Sequence, residues 1–200
     1  LSSLPKGDIA VKSVIPVARV TDLLENPGGQ FDYDGQSYAY PDIRLVWWAG
    51  GNPFHHHQDL NRMRLAWAKP DTIIANEWCW NALAKHADIV LPCTTPLERS
   101  DIAMSPKDPY LVAMDQAIKP IGQARDDHQI FRGIATAMAV HDAFTEGRSA
   151  EEWQRWIWDV SRQRVSQFGI ELPNWDSFPK DGWLKVPTPR SEENTPELQP

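Results

Sequence analysis

The residues of this sequence that could do chemistry follow three short apolar runs. The first run ends in Gly50-Gly51-Asn52-Pro53, the second in Asn76-Glu77, and the third in Pro92-Cys93-Thr94-Thr95. In an open parallel sheet, ligands bind beyond the carboxyl ends of the strands. We therefore expect the three endings to lie side by side and to line one concave edge.

The chemistry of these endings fits a nucleotide. Gly50 and Gly51 carry no Cβ atom, so their backbone N–H groups could approach a phosphate closely, and a following helix would direct its N-terminal donors there. The Glu77 carboxylate could accept two hydrogen bonds from the N1–H and N2–H2 donors of guanine. Thr94 and Thr95 offer hydroxyl groups to a ribose or a phosphate.

Simpler explanations are open for each feature taken alone. Two glycines after a strand often form only a tight turn. A glutamate at a predicted helix start, such as Glu77, is favoured there by the helix dipole. The two threonines could simply cap a turn. The shared position of all three features on one edge favours a ligand site.

The consecutive histidines His55, His56 and His57 do not predict a metal site. Helical neighbours diverge by about 100°, and only alternate residues of an extended chain share a face, so three adjacent imidazoles cannot converge on one ion. Hydrogen bonding to a ligand is a better use of them. The sequence contains no catalytic constellation, and the charged residues Glu98, Arg99 and Asp101 are also compatible with a salt-bridged turn.

The elements expected to position these residues alternate between strand and helix. Strands are predicted over Ile43–Ala49, Asp71–Asn76 and 88–95, with helices over 55–69 and 77–87 between them. Connections this short imply parallel strands with right-handed crossovers, and uninterrupted apolar strands agree with a sheet covered on both faces. The predicted fold class is α/β, a Rossmann-like parallel sheet with flanking helices and a helical C-terminal extension.

Four segments are predicted along the chain. They are an irregular lead-in over 1–40, an α/β cofactor-binding domain over 41–145, a helical extension over 146–187, and a linker or tail over 188–200. The lead-in holds a short helix over Val17–Leu24 and a hairpin at Asp34-Gly35. A long loop is expected after Thr95.

Two helices are predicted in the second half of the chain. The first starts at Asp126 or Asp127, and the second opens with the capping box Ser149-x-x-Glu152 and stops at Gly169. The residues expected to be buried are Ile130, Phe131, Ile134 and Met138 in the first helix, and Trp153, Trp156, Ile157 and Val160 in the second.

Composition narrows the class of protein. A formal net charge of -7 argues against general binding of nucleic acid or anionic membranes. Cys79 and Cys93 have no CxxC spacing and are expected to be small buried residues. No run approaches the roughly 18 apolar residues of a membrane helix, and no signal peptide is visible, so periplasm and cytoplasm are both open. The chain is expected to be a fragment of a longer polypeptide. Several of its ten tryptophans are expected to face a surface that is absent from this chain.

Three strings of the sequence resemble a known family. The strings YPDIRLVWWAGGNPFHHHQDLNR, KHADIVLPCTTPLERSDI and AIKPIGQARDDHQIF resemble molybdopterin oxidoreductases of the dimethyl sulfoxide reductase family. The resemblance is to the trimethylamine N-oxide, dimethyl sulfoxide and biotin sulfoxide reductase branch, and it extends from about Ile15 to Pro187. Such proteins hold molybdenum between two molybdopterin guanine dinucleotides (bis-MGD) and reduce N- or S-oxides.

The resemblance implies a set of cofactor-binding residues. They are Gly50, Gly51, Asn52, Pro53, His55, His57, Gln58, Asn76, Glu77, Thr94, Thr95, Glu98 and Arg99, with Glu77 at the acidic guanine-binding position that is usually Asp. The molybdenum ligand is expected outside this chain, in the remaining domains of the parent polypeptide, so the chain alone should be inactive. The alternative hypotheses are a non-catalytic Rossmann-like module that binds a nucleotide or a protein partner, and an isolated fragment with no function of its own.

Overall fold

The computed structural model describes residues 3–5, 11, 14–105, 108–178 and 182–187. The helices are α1 (Val20–Glu25), α2 (Pro53–His56), α3 (Leu60–Trp67), α4 (Ala82–Lys85), α5 (Asp127–Ala137), α6 (His141–Thr145) and α7 (Ala150–Ser166). The strands are β1 (Gln30–Tyr33), β2 (Gln36–Ala39), β3 (Leu45–Ala49), β4 (Thr72–Glu77), β5 (Ile89–Pro92), β6 (Asp101–Met104), β7 (Tyr110–Met114) and β8 (Trp183–Lys185). The predicted tail over 188–200 lies outside the described residues.

The chain forms two compact units. The described residues of Pro5–Thr95 and Pro120–Phe144 make one, called here the parallel-sheet unit. The described residues of Leu1–Leu4, Pro96–Lys119 and Thr145–Pro200 make the other, the antiparallel-sheet unit. The domain boundaries expected from the sequence stay a prediction.

The parallel-sheet unit is built on strands in the order β3-β4-β5. Both pairings are parallel, with Leu45 opposite Thr72, Ala49 opposite Asn76, and Glu77 opposite Pro92. The predicted parallel core is therefore confirmed, although its first strand begins at Leu45, two residues later than expected. With helices around this sheet and α7 towards the C-terminus, the predicted α/β class is confirmed.

Apolar side chains cover the two faces of this sheet. On one face the Trp48 ring lies 5.7 Å from that of Trp67, which α3 buries together with Met63. On the other face the Trp47 ring lies 5.0 Å from the Phe131 ring of α5. Successive residues of a strand point to opposite faces, so the adjacent tryptophans hold helices on both sides.

Two predicted helices are shorter than expected. The helix over 55–69 is split because His57 is extended and Asp59 takes a left-handed φ of 47°, from which its carboxylate caps α3 by accepting from the Arg62 N–H. The helix over 77–87 begins only at Ala82, because Asn81 caps it by accepting from the Ala84 N–H at 3.0 Å. Side-chain capping of orphan N–H groups decides both helix starts.

The lead-in contains the expected helix and hairpin. A 3-10 turn over Val17–Arg19 runs into α1, and β1 pairs antiparallel with β2. Asp34 and Gly35 both have positive φ, 50° and 72°, as a two-residue turn of type I′ requires. The predicted short helix and the predicted hairpin at Asp34-Gly35 are confirmed.

The antiparallel-sheet unit corrects the prediction of a long loop after Thr95. Strands β6, β7 and β8 form an antiparallel sheet in that order. Two of its strands are only four and three residues long, too short for an alternation pattern to stand out. Strand β8 comes from far along the chain, with its Trp183 opposite Val112 of β7.

The two predicted C-terminal helices are present, but the residues that they bury differ in part from those expected. In α5 Ile130 is buried as expected, but Met138 is exposed because the helix ends before it. In α7 Trp153 is buried as expected, whereas the fully buried residue is Trp158, which the predicted face did not include. Among the described helices, none is both long and apolar enough to cross a membrane.

The start of α7 is held by the predicted capping box. Ser149 Oγ accepts from the Glu152 N–H at 3.2 Å, and Glu152 Oε2 accepts from the Ser149 N–H at 2.8 Å. These bonds, the backbone one first, lower the pKa of Glu152. A lowered folded-state pKa adds stability that is present above the unfolded pKa, about 4.3, and is lost as the pH falls through the folded pKa.

We expect Ser149→Ala to lower the free energy of unfolding by about 1 kcal/mol at pH 7, because the helix loses its N-cap. The difference in the free energy of unfolding between the wild type and Glu152→Gln should become smaller as the pH falls below about 4. Urea titrations at several pH values measure both effects. Ser166→Ala, which removes a hydroxyl at the last residue of the same helix, is the matched control. Equal losses for Ser149→Ala and Ser166→Ala would contradict the role of the cap.

Candidate functional site

The register of the parallel sheet brings the three predicted endings to one edge. Ala49 lies opposite Asn76, and Asn76 lies opposite Leu91, so the residues that follow each strand leave the sheet at the same level. Neighbouring strands are about 4.8 Å apart. The three strand ends therefore lie within about 10 Å of one another across the sheet.

The turn after β3 needs its two glycines. Gly50 and Gly51 have φ values of 82° and 68°, in the left-handed region that other residues rarely adopt. A Cβ atom at either position would meet no other heavy atom within 4 Å, so the backbone there borders open space. The Trp48 indole donates to the Gly50 carbonyl at 2.9 Å and holds the turn. Such a turn can present backbone N–H groups to an anion.

Asn52 carries a buried donor that has no acceptor in the described part of the chain. The residue is 7% exposed, and its Oδ1 accepts from the Phe54 N–H at 3.0 Å, which caps α2. Its Nδ2 is buried and has no hydrogen-bond partner among the described residues. An unsatisfied buried donor costs about 1–3 kcal/mol, which a bound acceptor would offset. The next residue, Pro53, is fully buried at the first position of α2.

Glu77 is a buried residue whose carboxylate has no partner among the described residues. The residue is 7% exposed, and within the described ranges its carboxylate makes no hydrogen bond or ion pair. It is the last residue of β4 and lies five positions before α4, so the expectation of a charge at a helix start is wrong. Burying an ionised carboxylate without donors is unfavourable. Its position therefore points to donors supplied from outside this chain.

The third ending is joined by a segment that the predicted set of site residues did not include. The Arg125 N–H donates to the Pro92 carbonyl at 3.1 Å, and the Thr94 N–H donates to the Arg125 carbonyl at 3.1 Å. Thr94 is buried and Thr95 half-buried at this junction. The segment leads directly into α5, so the start of that helix also lies at the edge. The string that ends in ARDDHQIF was the available signal.

Asn76 directs its side chain into the protein. Its Oδ1 accepts from the Trp47 indole at 3.0 Å, and its Nδ2 donates to Asp127 Oδ1 at 2.8 Å. The predicted direct contact between Asn76 and a cofactor stays a prediction.

The histidine segment lies beside the glycine turn. His55 and His56 end α2 and are exposed, Gln58 is exposed, and the half-buried His57 ring meets the Trp48 ring edge-on at 6.2 Å. Across the described ranges no three His, Cys, Asp or Glu side chains are grouped to hold a metal ion. Ligand contacts by His55, His57 and Gln58 stay predictions.

Comparison with known proteins places the chain in a family. The molybdopterin oxidoreductase family profile matches residues 24–137, more than half of the chain. The chain belongs to the molybdopterin oxidoreductase family. Membership implies a cofactor of molybdenum and molybdopterin.

Sulfoxide and N-oxide reductases are among the similar proteins. Biotin sulfoxide reductase of Cereibacter sphaeroides is 46% identical over 90% of this chain and 24% of its own length. Dimethyl sulfoxide/trimethylamine N-oxide reductase of Rhodobacter capsulatus is 42% identical over 94% of this chain and 24% of its own length. The chain thus spans about a quarter of these curated relatives.

A solved structure supports the fold alone. Acetylene hydratase from Pelobacter acetylenicus matches with a TM-score of 0.57 and 18% identity, over 75% of this chain and 19% of that one. The molybdopterin oxidoreductase chain therefore shares its backbone arrangement with a protein of very different sequence.

The remaining two predicted residues, Glu98 and Arg99, belong to the antiparallel-sheet unit. Glu98 is buried, and its carbonyl accepts from the Gln116 side chain at 3.0 Å. Arg99 donates to Asp101 at 3.3 Å, so the salt-bridged turn considered from the sequence is present. Cofactor contacts by these residues stay predictions of the family resemblance.

Proposed function

We propose that this chain is the molybdopterin guanine dinucleotide-binding segment of a molybdenum-dependent oxidoreductase that reduces N- or S-oxides. The observation that carries the proposal is the buried residue Glu77 at the carboxyl edge of a parallel sheet, where its carboxylate is unpaired within the described part of the chain. The resemblance to biotin sulfoxide and dimethyl sulfoxide/trimethylamine N-oxide reductases supports the class of substrate.

The residues at the edge fit a guanine nucleotide by their hydrogen-bonding chemistry. The Glu77 carboxylate offers two acceptors to the N1–H and N2–H2 donors of guanine, and its charge strengthens both bonds. Adenine carries an acceptor at N1 and no amine at C2, so the same carboxylate would face a lone pair. The site should therefore prefer guanine to adenine.

The neighbouring residues fit the rest of a nucleotide. The turn at Gly50 and Gly51 leaves backbone N–H groups and open space for a phosphate. The Asn52 amide has one buried donor left for a phosphate, ribose or base oxygen. When bound, the cofactor supplies oxygen-atom transfer, and the residues of this chain bind and orient its nucleotide end.

The complete polypeptide to which the chain belongs provides the test. We expect acid treatment of the purified protein to release GMP and molybdenum together. We also expect the protein to reduce dimethyl sulfoxide, trimethylamine N-oxide or biotin sulfoxide with an artificial electron donor. Chromatography of the released nucleotide and metal analysis measure the first result. Release of another nucleotide, or of none, would reject the proposed cofactor, and inactivity of the loaded protein on all three oxides would reject the proposed substrate class.

A further inference from the structure

We infer that Asn76 is a positioning residue whose amide fixes the strand end that carries Glu77 against the start of α5. The inference rests on the proposed function, since the carboxylate it would orient is the proposed guanine reader. Asn76 is 4% exposed and connects three elements, with hydrogen bonds to Trp47 of β3 and to Asp127 of α5.

The strand geometry separates Asn76 from the proposed ligand contact. Successive side chains of a strand point to opposite faces. Asn76 shares its face with Trp47, whose ring packs against Phe131 of α5. Glu77 therefore points to the opposite face of β4, where α2 and α3 lie. Asn76 can act on a ligand at Glu77 through the backbone that the two residues share.

The polarity of the partners allows one orientation of the Asn76 amide. Trp47 Nε1 can only donate, and Asp127 Oδ1 accepts from the Asn76 amide. A flipped amide would set donor against donor and oxygen against carboxylate. The side chain is therefore held by two directional bonds of 3.0 and 2.8 Å. These bonds restrict rotation of the strand end about its own axis.

The backbone around Glu77 is fixed from the other side as well. The Glu77 carbonyl accepts from the Cys93 N–H at 3.2 Å, which ties the end of β4 to the residues after β5. The residues after β5 are in turn bonded to Arg125, two positions before Asp127. The hydrogen bond from Asn76 to Asp127 completes this set of connections on the α5 side. Breaking that bond should change the orientation of the Glu77 carboxylate without altering the carboxylate itself.

An exchange of side chains between positions 76 and 127 tests the inference. Asn76→Asp sets a second carboxylate against Asp127, and like charges at this distance disfavour each other. We expect it to lower the GMP bound per folded molecule about tenfold in the complete polypeptide. Asp127→Asn should lower it less, because two amides can still form one hydrogen bond. The double variant restores a carboxylate–amide pair in reverse and should recover most of the GMP.

The control variant is Asn81→Asp. It adds the same charge in the same unit, but at the N-cap of α4, where aspartate serves as well as asparagine. Its GMP content should equal that of the wild type. The readout is GMP released by acid, normalised to the folded fraction measured by circular dichroism. A purely structural role for Asn76 would lower the folded yield and leave GMP per folded molecule unchanged.

The outcomes separate this inference from the proposed function. Wild-type protein that releases no GMP would reject both. If the wild-type protein releases GMP and Asn76→Asp releases as much, the positioning role is rejected and the proposed function is not. So would a double variant no better than Asn76→Asp, because the pairing of positions 76 and 127 would then have no part in the effect.

Discussion

Glu77→Gln is expected to lower the guanine nucleotide bound per folded molecule about tenfold in the complete polypeptide. The substitution keeps the size of the side chain but turns one acceptor into a donor, which then opposes the donors of guanine. Losing a charge-assisted bond and leaving a donor unpaired costs about 1–3 kcal/mol, equivalent to about a 5- to 150-fold change in affinity. Molybdenum content should fall together with the nucleotide.

The same substitution should leave the cofactor-free protein about as stable. The Glu77 carboxylate makes no hydrogen bond or ion pair among the described residues, so the substitution removes no contact of the cofactor-free protein. A residue that only supported the fold would show the opposite result, with lower stability and an unchanged nucleotide content.

Glu25→Gln is the matched control for this experiment. Glu25 is a half-buried carboxylate of α1 that is paired with Arg62, so the substitution makes the same chemical change away from the sheet edge. It should alter stability slightly and leave GMP content unchanged. GMP released by acid and metal analysis are compared at matched folded fraction. Equal nucleotide content in wild type and Glu77→Gln would exclude Glu77 as the guanine reader.

The parallel sheet was predictable because its signals are local. Apolar runs such as Leu45–Ala49 are uninterrupted, and the short connections between them leave only parallel pairing with crossovers. The position of the candidate site followed from that topology, since strand ends in register must share an edge. The turn at Gly50 and Gly51 was predictable because these residues have no Cβ atoms.

The helix starts were not predictable from periodicity. Asp59 and Asn81 are ordinary polar residues in the sequence, and only their side-chain bonds to later N–H groups show that each begins a helix. The error mattered for Glu77. Once α4 begins at Ala82, Glu77 is a strand residue, and the helix dipole no longer explains its charge.

The long-range contacts could not be predicted from the sequence either. The bond from Asn76 to Asp127 joins residues 51 positions apart, and the pairing of β7 with β8 joins residues that are still further apart, such as Val112 and Trp183. No local pattern records such contacts, because each partner also fits a solvated loop. Trp158 shows the same limit, because the predicted buried face of α7 was centred on Trp153 and Trp156. In the structure Trp158 packs in one core with residues of β6, β7 and β8, strands that were not predicted from the sequence.

Trp158→Ala is expected to lower the free energy of unfolding of the antiparallel-sheet unit by about 3–5 kcal/mol, as large-to-small changes of buried aromatic residues do. Trp158 is 0% exposed, and its ring stacks on Phe178 with centroids 4.1 Å apart. Its indole donates to the Pro173 carbonyl at 2.9 Å, so truncation also leaves that acceptor without its donor. The cavity and the lost bond act in the same direction.

Trp158→Phe makes the effect measurable if the alanine variant does not fold. It keeps an aromatic ring beside Phe178 but loses the indole N–H and part of the volume, so a loss of about 1–2 kcal/mol is expected. Trp183→Ala is the control in the same unit, because Trp183 is 58% exposed and its removal should cost less than about 1 kcal/mol. Urea titrations followed by near-ultraviolet circular dichroism give the three values. Similar losses for Trp158→Phe and Trp183→Ala would contradict the assignment of Trp158 to the centre of this core, since only a filled and solvent-free site makes the loss of a few atoms that costly.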